Sequence, residues 1–251
     1  MNNGTSLAQY NNEVRMAICN NDHTVKIYSV PTMERIAVLN FTSPINHGKT
    51  NVILIQLSMG THHPMGGVGG FDTVASTSPD GRKMVCVSDT GNVYLYDIRA
   101  SDYQLMATMK ASEEAAQCCG WNQSSEIFAV TSQDGYVNVW DIRHTQKLCQ
   151  LGSAETRNTR KAARSIQFSK GPLDLLAYTE HVSHVNIVDT RTFESRQVVR
   201  LSPAEMDYHI AGFSFSPDNR SLFVGLEHSM VELAVDVNSR RQFAGGRLSY
   251  L

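Results

Sequence analysis

Long apolar runs are missing from this sequence: stretches such as Val52–Ile55 stop at four residues, far short of the roughly 18 a membrane-spanning helix needs. Cysteine pairing is missing too. The five cysteines (Cys19, Cys86, Cys118, Cys119 and Cys149) are odd in number and scattered, with no C-x-x-C pair, which excludes a disulfide framework or a zinc site as the organising element. Charge of one sign is not in excess. Lys and Arg total 22 against 24 Asp and Glu, so neither a nucleic-acid footprint nor an acidic tail shows in the totals. The start, Met1-Asn2-Asn3-Gly4, has no basic or apolar leader, and the expectation is a protein of the cytoplasm and/or nucleus that is not secreted. On that expectation the N-x-[ST] triplets at Asn3, Asn40, Asn122 and Asn219 are chance rather than glycan acceptors. Helical periodicity is nowhere sustained, and no G-x-S-x-G, H-E-x-x-H or phosphate-binding loop occurs. The reading is therefore not an enzyme, with no cofactor, no metal and no small-molecule substrate.

What is present is self-similarity on 41% apolar content, ample for a packed core. Four stretches, Met16–Ser29, Met84–Asp97, Phe128–Asp141 and Leu176–Asp189, each read as short strand, turn, short strand, ending in Asp or Ser. A weaker fifth copy runs from Leu222 to Asp236. Val137 and Val139 alternate with Tyr136 and Asn138, which predicts a strand with one face inward. Asp134-Gly135 and Thr90-Gly91 supply the positive-φ turn of a tight hairpin. Upstream of four copies lies a second turn signal, in its fullest form Ser78-Pro79-Asp80-Gly81 and Ser216-Pro217-Asp218.

These units resemble WD repeats, the blades of a β-propeller: one copy closes with Trp140-Asp141, another with Tyr96-Asp97, after an S-P-D-G-like turn. The resemblance implies an all-β fold, a single β-propeller domain over residues 1–251 with about five recognisable four-stranded blades ending near 29, 97, 141, 189 and 236. Asp97, Asp141 and Asp189 are the expected structural residues at those ends. The family's Gly-His dipeptide is absent before every blade, which leaves Ser132, Asp134 and Trp140 as part of the usual side-chain network. The stretch from Ala211 to Arg241 resembles the domain of unknown function on fungal WD-repeat proteins.

One interval does not fit. The closing positions Ser29, Asp97, Asp141, Asp189 and Asp236 are 68, 44, 48 and 47 residues apart, and the first surplus falls on the Gly-rich segment Gly48–Asp72. Two readings compete: a disordered or partner-binding loop with His62 and His63 as metal contacts, or a retained intron. With that segment set aside, the chain holds about five blades where propellers of this resemblance close with about seven, so it reads as an incomplete, truncated propeller. The residues Met1–Tyr10 offer no turn of the S-P-D-G kind ahead of the first copy.

Two groups of residues are candidate partner-binding sites. The first is the W-D-x-R motif, Trp140-Asp141-Ile142-Arg143, echoed at Tyr96–Arg99 and Val188–Arg191. It resembles the box of propellers that serve as substrate receptors on cullin-type ubiquitin ligases, where Arg99, Arg143 and Arg191 would face an adaptor; otherwise each Arg pairs with a neighbouring blade's carboxylate. The second is the basic cluster Arg157, Arg160, Lys161 and Arg164, able to clamp a phosphate or acidic peptide, or else a solvated loop. No aromatics interleave with these charges, which argues against nucleic acid. His181 and His184 flank a hairpin turn and are expected to be solvated rather than metal-bound. The function expected is a non-enzymatic scaffold that binds peptide segments of other proteins on its rim loops. A ubiquitin-ligase substrate receptor is the alternative and a propeller enzyme the remote one.

Overall fold

Turn residues between short apolar runs make the chain reverse repeatedly, and each reversal pairs two strands antiparallel. The computed structural model describes residues 2–11, 13–20, 22–42, 75–144, 146–153, 155–156 and 159–237, and among these it holds four four-stranded sheets and one three-stranded sheet, all up-and-down meanders. The first comprises β1 (Asn2–Tyr10), β2 (Glu13–Asn20), β3 (Thr24–Ser29) and β4 (Arg35–Asn40). The second comprises β5 (Ala75–Thr77), β6 (Lys83–Val87), β7 (Asn92–Ile98) and β8 (Tyr103–Lys110). The third is built from β9 (Ala116–Trp121), β10 (Ile127–Ser132), β11 (Tyr136–Asp141) and β12 (Lys147–Gly152). A small ribbon, β13 (Glu155–Thr156) with β14 (Thr159–Arg160), precedes the fourth sheet. That sheet holds β15 (Ala163–Phe168), β16 (Leu175–Glu180), β17 (His184–Asp189) and β18 (Arg196–Arg200); the last has β19 (Ile210–Phe215), β20 (Ser221–Leu226) and β21 (Met230–Ala234).

First strands of successive sheets lie against one another, β1 on β5, β5 on β9, β9 on β15 and β15 on β19, so the sheets stack face to face around an axis as propeller blades do. Three apolar clusters fill the wedges between blades. One joins the first and second sheets, the largest joins the second, third and fourth, and one joins the fourth and fifth. The burial pattern follows this order. The alternation expected for β11 is overridden: Asn138, on the face predicted to be wet, is fully buried because a blade sits on each side of it. Its amide is satisfied at both ends, donating to the Ala111 carbonyl (3.0 Å) and accepting from Gln150 (3.0 Å). Strands β10 and β16 are buried nearly throughout, whereas β3 and β20 alternate buried and half-buried residues, as strands with one covered face do.

Two sequence expectations shift. Residues 2–10, which carry no turn of the S-P-D-G kind, form the inner strand β1, turned into β2 at Asn11 with φ 44° where the second blade uses Gly81. The residues Ser29, Asp97, Asp141 and Asp189 fall at or near the end of each third strand, and a fourth strand follows to Asn40, Lys110, Gly152 and Arg200. The segment Gly48–Asp72, with His62 and His63, lies outside the described residues. No helix among the described residues is long and apolar enough to cross a membrane.

A four-stranded meander puts its first and third turns on one rim and its second turn, with the link to the next blade, on the other. We call these the lower and upper rims.

Candidate functional site

The lower rim is a row of short turns tied to one another. In Ser78-Pro79-Asp80-Gly81, Ser78 Oγ donates to Asp80 Oδ1 (2.6 Å) and accepts the Lys83 N–H (2.9 Å), while Gly81 takes the left-handed φ of 73°. Ser125 (φ 63°) and Asn219 (φ 56°) hold the same turn position in later blades. The turns are then stapled blade to blade. Asp80 N–H donates to Ser125 Oγ (3.0 Å), Gly171 N–H to Gln123 Oε1, and Asn219 both accepts from Lys170 N–H (3.1 Å) and donates to its carbonyl (2.8 Å). Arg15, only 5% exposed, reaches from the first blade to the carbonyls of Arg99 (3.1 Å) and Ala100 (2.7 Å) and stacks on Tyr10, 4.2 Å from the ring centre.

Onto this rim the fold brings the three W-D-x-R-type arginines at equivalent places in successive blades. Arg143 forks onto its own Asp141, Nε to Oδ1 (2.9 Å) and Nη2 to Oδ2 (2.6 Å), with Glu126 3.6 Å away. This guanidinium holds the Asp141 carboxyl at about 2. Arg99 bonds Asp97 (3.2 Å) and Gln104, and Lys83 (2.7 Å), with Arg99, lowers the Asp97 carboxyl. Arg191 bonds Asp174 (3.0 Å), and its N–H donates to Asp189 (3.0 Å). The carboxylates are in each case those of the same blade, not of a neighbour as the sequence suggested, because the turn folds the side chain back over its own strand ends. Arg99 and Arg143 nonetheless stay more than half exposed. Between the inner strands a cavity of about 430 Å³ opens beside this rim, lined by Ser76, Thr77, Trp121, Gln123, Ile166 and Phe168, with the Trp121 indole donating to the Ser76 carbonyl (3.0 Å).

On the upper rim Asp134 is a hub. It accepts from Ser132 Oγ, from the Tyr136 N–H (3.0 Å) and from Ser112 Oγ (2.7 Å), which arrives from the preceding link and stands where the family's histidine would be expected. Trp140, 1% exposed, stacks parallel on Phe128 at 5.3 Å and serves the core. The basic cluster is only partly placed: Arg157 lies outside the described residues and Arg160 falls in β14. Lys161 sits 2.5 Å from Asp207, and Arg164 donates to Gln117 Oε1 (2.8 Å), so both of these cations hold internal contacts. The expectation of solvated turn histidines is corrected for His184, which is 8% exposed with Nδ1 3.4 Å from the fully buried Glu180, because it opens β17 on a face covered by the third blade. His181 packs edge-on against His209 (4.9 Å), and burial with Arg164 nearby lowers its pKa.

Several of these residues escaped the sequence reading. Ser112, Arg15 and Asp207 act across 22 or more positions of chain, which no local pattern reports. Asn219 was signalled by its turn. The five cysteines are free, and burial pushes the thiols of Cys19 up to about 12 and Cys149 to about 11, far from nucleophilic thiolates. Among the described residues no group of three His, Cys, Asp or Glu is placed to hold a metal.

Comparison with known proteins fits this geometry. A family model described as WD domain, G-beta repeat matches residues 103–141, from β8 through β11. One described as uncharacterised protein domain DUF2415 matches residues 161–200, the fourth blade, upstream of the Ala211–Arg241 stretch in which the sequence resemblance was seen. The chain is 30% identical over 260 residues to "Uncharacterized protein C4G3.03" of Schizosaccharomyces pombe, covering 98% of this chain and 67% of that protein. Over 83 residues it is 32% identical to "Uncharacterized protein YLR149C" of Saccharomyces cerevisiae (32% of this chain, 11% of that protein). It is 26% identical over 117 residues to a WD repeat-containing protein of Dictyostelium discoideum, covering 46% of this chain and 6% of that one. The chain thus spans about two thirds of the length of the first of these relatives. Among solved structures, dihydro-heme d1 dehydrogenase NirN in complex with DHE superposes with a TM-score of 0.63 at 16% identity, covering 88% of this chain and 41% of that one, a likeness of fold alone.

Proposed function

Because this chain belongs to the WD-repeat family that carries the DUF2415 domain, we propose that it is a non-enzymatic platform whose rim loops bind peptide segments of other proteins. WD repeats are in general protein-interaction scaffolds. The observation that supports the finer reading is the stapling of the lower-rim turns: their charged side chains are displayed on backbone already fixed by Arg15, Ser125 and Asn219. Binding to a fixed surface costs less ordering entropy, and the turns can vary in sequence without disturbing the blades. The reading places the protein in the cytoplasm and/or nucleus, where unpaired thiols stay reduced. Affinity purification with mass spectrometry tests it: a reproducible set of proteins recovered by the wild-type chain is expected, and recovery of none sinks the reading.

A second reading is favoured by one feature, the recurrence of Arg99, Arg143 and Arg191 at one rim position in three successive blades. In that reading the rim meets a ubiquitin-ligase adaptor and the chain hands bound proteins to the ligase. Replacing Arg99, Arg143 and Arg191 by Ala would then abolish adaptor recovery, and unchanged recovery counts against it. An enzymatic role is the remote alternative. Stoichiometric metal in purified protein, or turnover in a hydrolase screen, would displace the platform reading in its favour.

A further inference from the structure

The cavity of about 430 Å³ beside the lower rim is bounded by residues of the inner strands β1, β5, β9 and β15 and of the turns that follow β9 and β15. Its apolar wall comes from Trp121, Ile166 and Phe168, with Leu7 added from β1. Trp121 is fixed in place, since its indole N–H is engaged by the Ser76 carbonyl (3.0 Å) and its ring tilts against Phe128 at 5.2 Å. Ligand sites commonly measure roughly 300–1,000 Å³, so this space admits a chain end or a small molecule and not a folded domain.

The polar side chains of the lining have their acceptors already in use. Gln167, 9% exposed, accepts the Phe215 N–H at Oε1 (3.3 Å), and Gln123 accepts the Gly171 N–H at its own Oε1. A backbone N–H can meet only the oxygen of an amide, so in both residues the contact fixes which end is the NH2 group. Among the described residues neither NH2 group has an acceptor. Ser169 Oγ likewise accepts, from the Leu175 N–H (2.9 Å). Lys170 has its backbone clamped by Asn219 on both its N–H (3.1 Å) and its carbonyl (2.8 Å), while its ammonium makes no ion pair or hydrogen bond among the described residues. No Asp or Glu among the described residues lines the cavity. Asp80, beside the lining Pro79, is turned to its own Ser78 Oγ (2.6 Å) and the Arg82 N–H (3.0 Å). The Thr77 hydroxyl can serve either way, and the remaining capacity of Gln123, Gln167 and Lys170 is all donor.

We infer that this cavity binds the free C-terminus of a partner protein ending in a large apolar residue. The terminal carboxylate meets Gln123, Gln167 and Lys170, and the terminal side chain lies on Trp121, Ile166 and Phe168. The inference rests on the platform reading and adds to it the site and the chemistry of the partner. An internal peptide segment brings N–H donors along with its carbonyls, and those donors would face other donors here. A chain end brings two acceptor oxygens and a full negative charge directly beside a side chain, and its hydrogen bonds are charge-assisted. An inorganic anion would use the donors but leave the apolar wall in water.

The 251-residue chain is titrated into a fluorescein-labelled peptide ending in Gly-Ser-Gly-Leu-Phe with a free carboxylate, and into the same peptide amidated, with anisotropy as the readout. The free acid is expected to bind saturably and the amide at least about tenfold more weakly, the loss of hydrogen bonds to a charged group. Gln123→Glu keeps the oxygen that the Gly171 N–H needs and puts a carboxylate where the NH2 group stood, so it should lose the free-acid peptide while its melting curve stays unchanged. Lys170→Met keeps the backbone bonds to Asn219 and removes the ammonium, and it should weaken binding as well. Equal binding of acid and amide, binding of neither, or full binding by Gln123→Glu overturns the inference. Phenylpropionate binding as tightly as the peptide also overturns it, by assigning the cavity to small organic acids. Protein partners recovered by the wild-type chain and by Gln123→Glu alike would remove this site and leave the platform reading standing.

Discussion

Single residues in this protein serve the fold and the rims in different ways, and their variants should separate the two. Trp140 is a core residue, enclosed between blades and stacked on Phe128. Trp140→Ala should destabilise the chain by roughly 3–5 kcal/mol, read by urea denaturation; a loss under about 1 would place Trp140 outside the core. Arg143 is a rim residue, and its bond to Asp141 should appear as acid sensitivity. The folded carboxyl is held at about 2, below the roughly 3.9 of an unfolded Asp. The stabilisation is therefore fully present above the unfolded value and drains as pH falls through the folded one. Arg143→Gln should be less stable than wild type at neutral pH, with the gap closing below about pH 4. A gap that persists into strong acid would mean that Arg143 stabilises through something other than this carboxylate. Asp141 was legible from the repeat ending; its fork with Arg143 was not, since two opposite charges two positions apart in sequence do not fix a side-chain rotamer.

At the scale of elements, the hairpins were legible because turn chemistry and alternation are local. Gly91 and Gly135 take the positive φ their sequences demanded, at 74° and 82°. The inner strand β1 was not legible, because Asn11 takes the turn without glycine and the strand's pairing with β2 supplies the evidence that its own residues lack. The turns acquire a second task from the blade next door. Asn219 fixes a left-handed turn and makes both hydrogen bonds to Lys170 across the gap between the fourth and fifth blades. Asn219→Ala removes both bonds and puts a Cβ-branched-free but left-handed-averse residue there, and should cost about 2–3 kcal/mol. The check is a thermal melt, and a shift too small to resolve would mean that these two bonds add nothing to the junction of the fourth and fifth blades.

For the molecule as a whole, stability is distributed along a row of blades rather than gathered in one core. The largest apolar cluster spans the second, third and fourth sheets, while the first and fifth sheets each share one cluster with a single neighbour among the described residues. In such arrays each unit is stabilised chiefly by its contacts with the next. Amide hydrogen exchange should accordingly be slowest in β10, β11, β16 and β17 and faster in β3 and β20; uniform protection across the chain would show that it unfolds as one cooperative unit. The sequence by itself determined the repeating hairpin, the turn residues and the all-β class, because strand periodicity and positive-φ turns depend only on near neighbours. The tertiary structure alone decided which strand faces are buried twice, that each rim arginine closes on its own blade, and that Asp207 gathers Lys161, Ser183 and Arg200. Those outcomes join residues far apart in the chain, and only the stacking of the blades brings them within bonding distance.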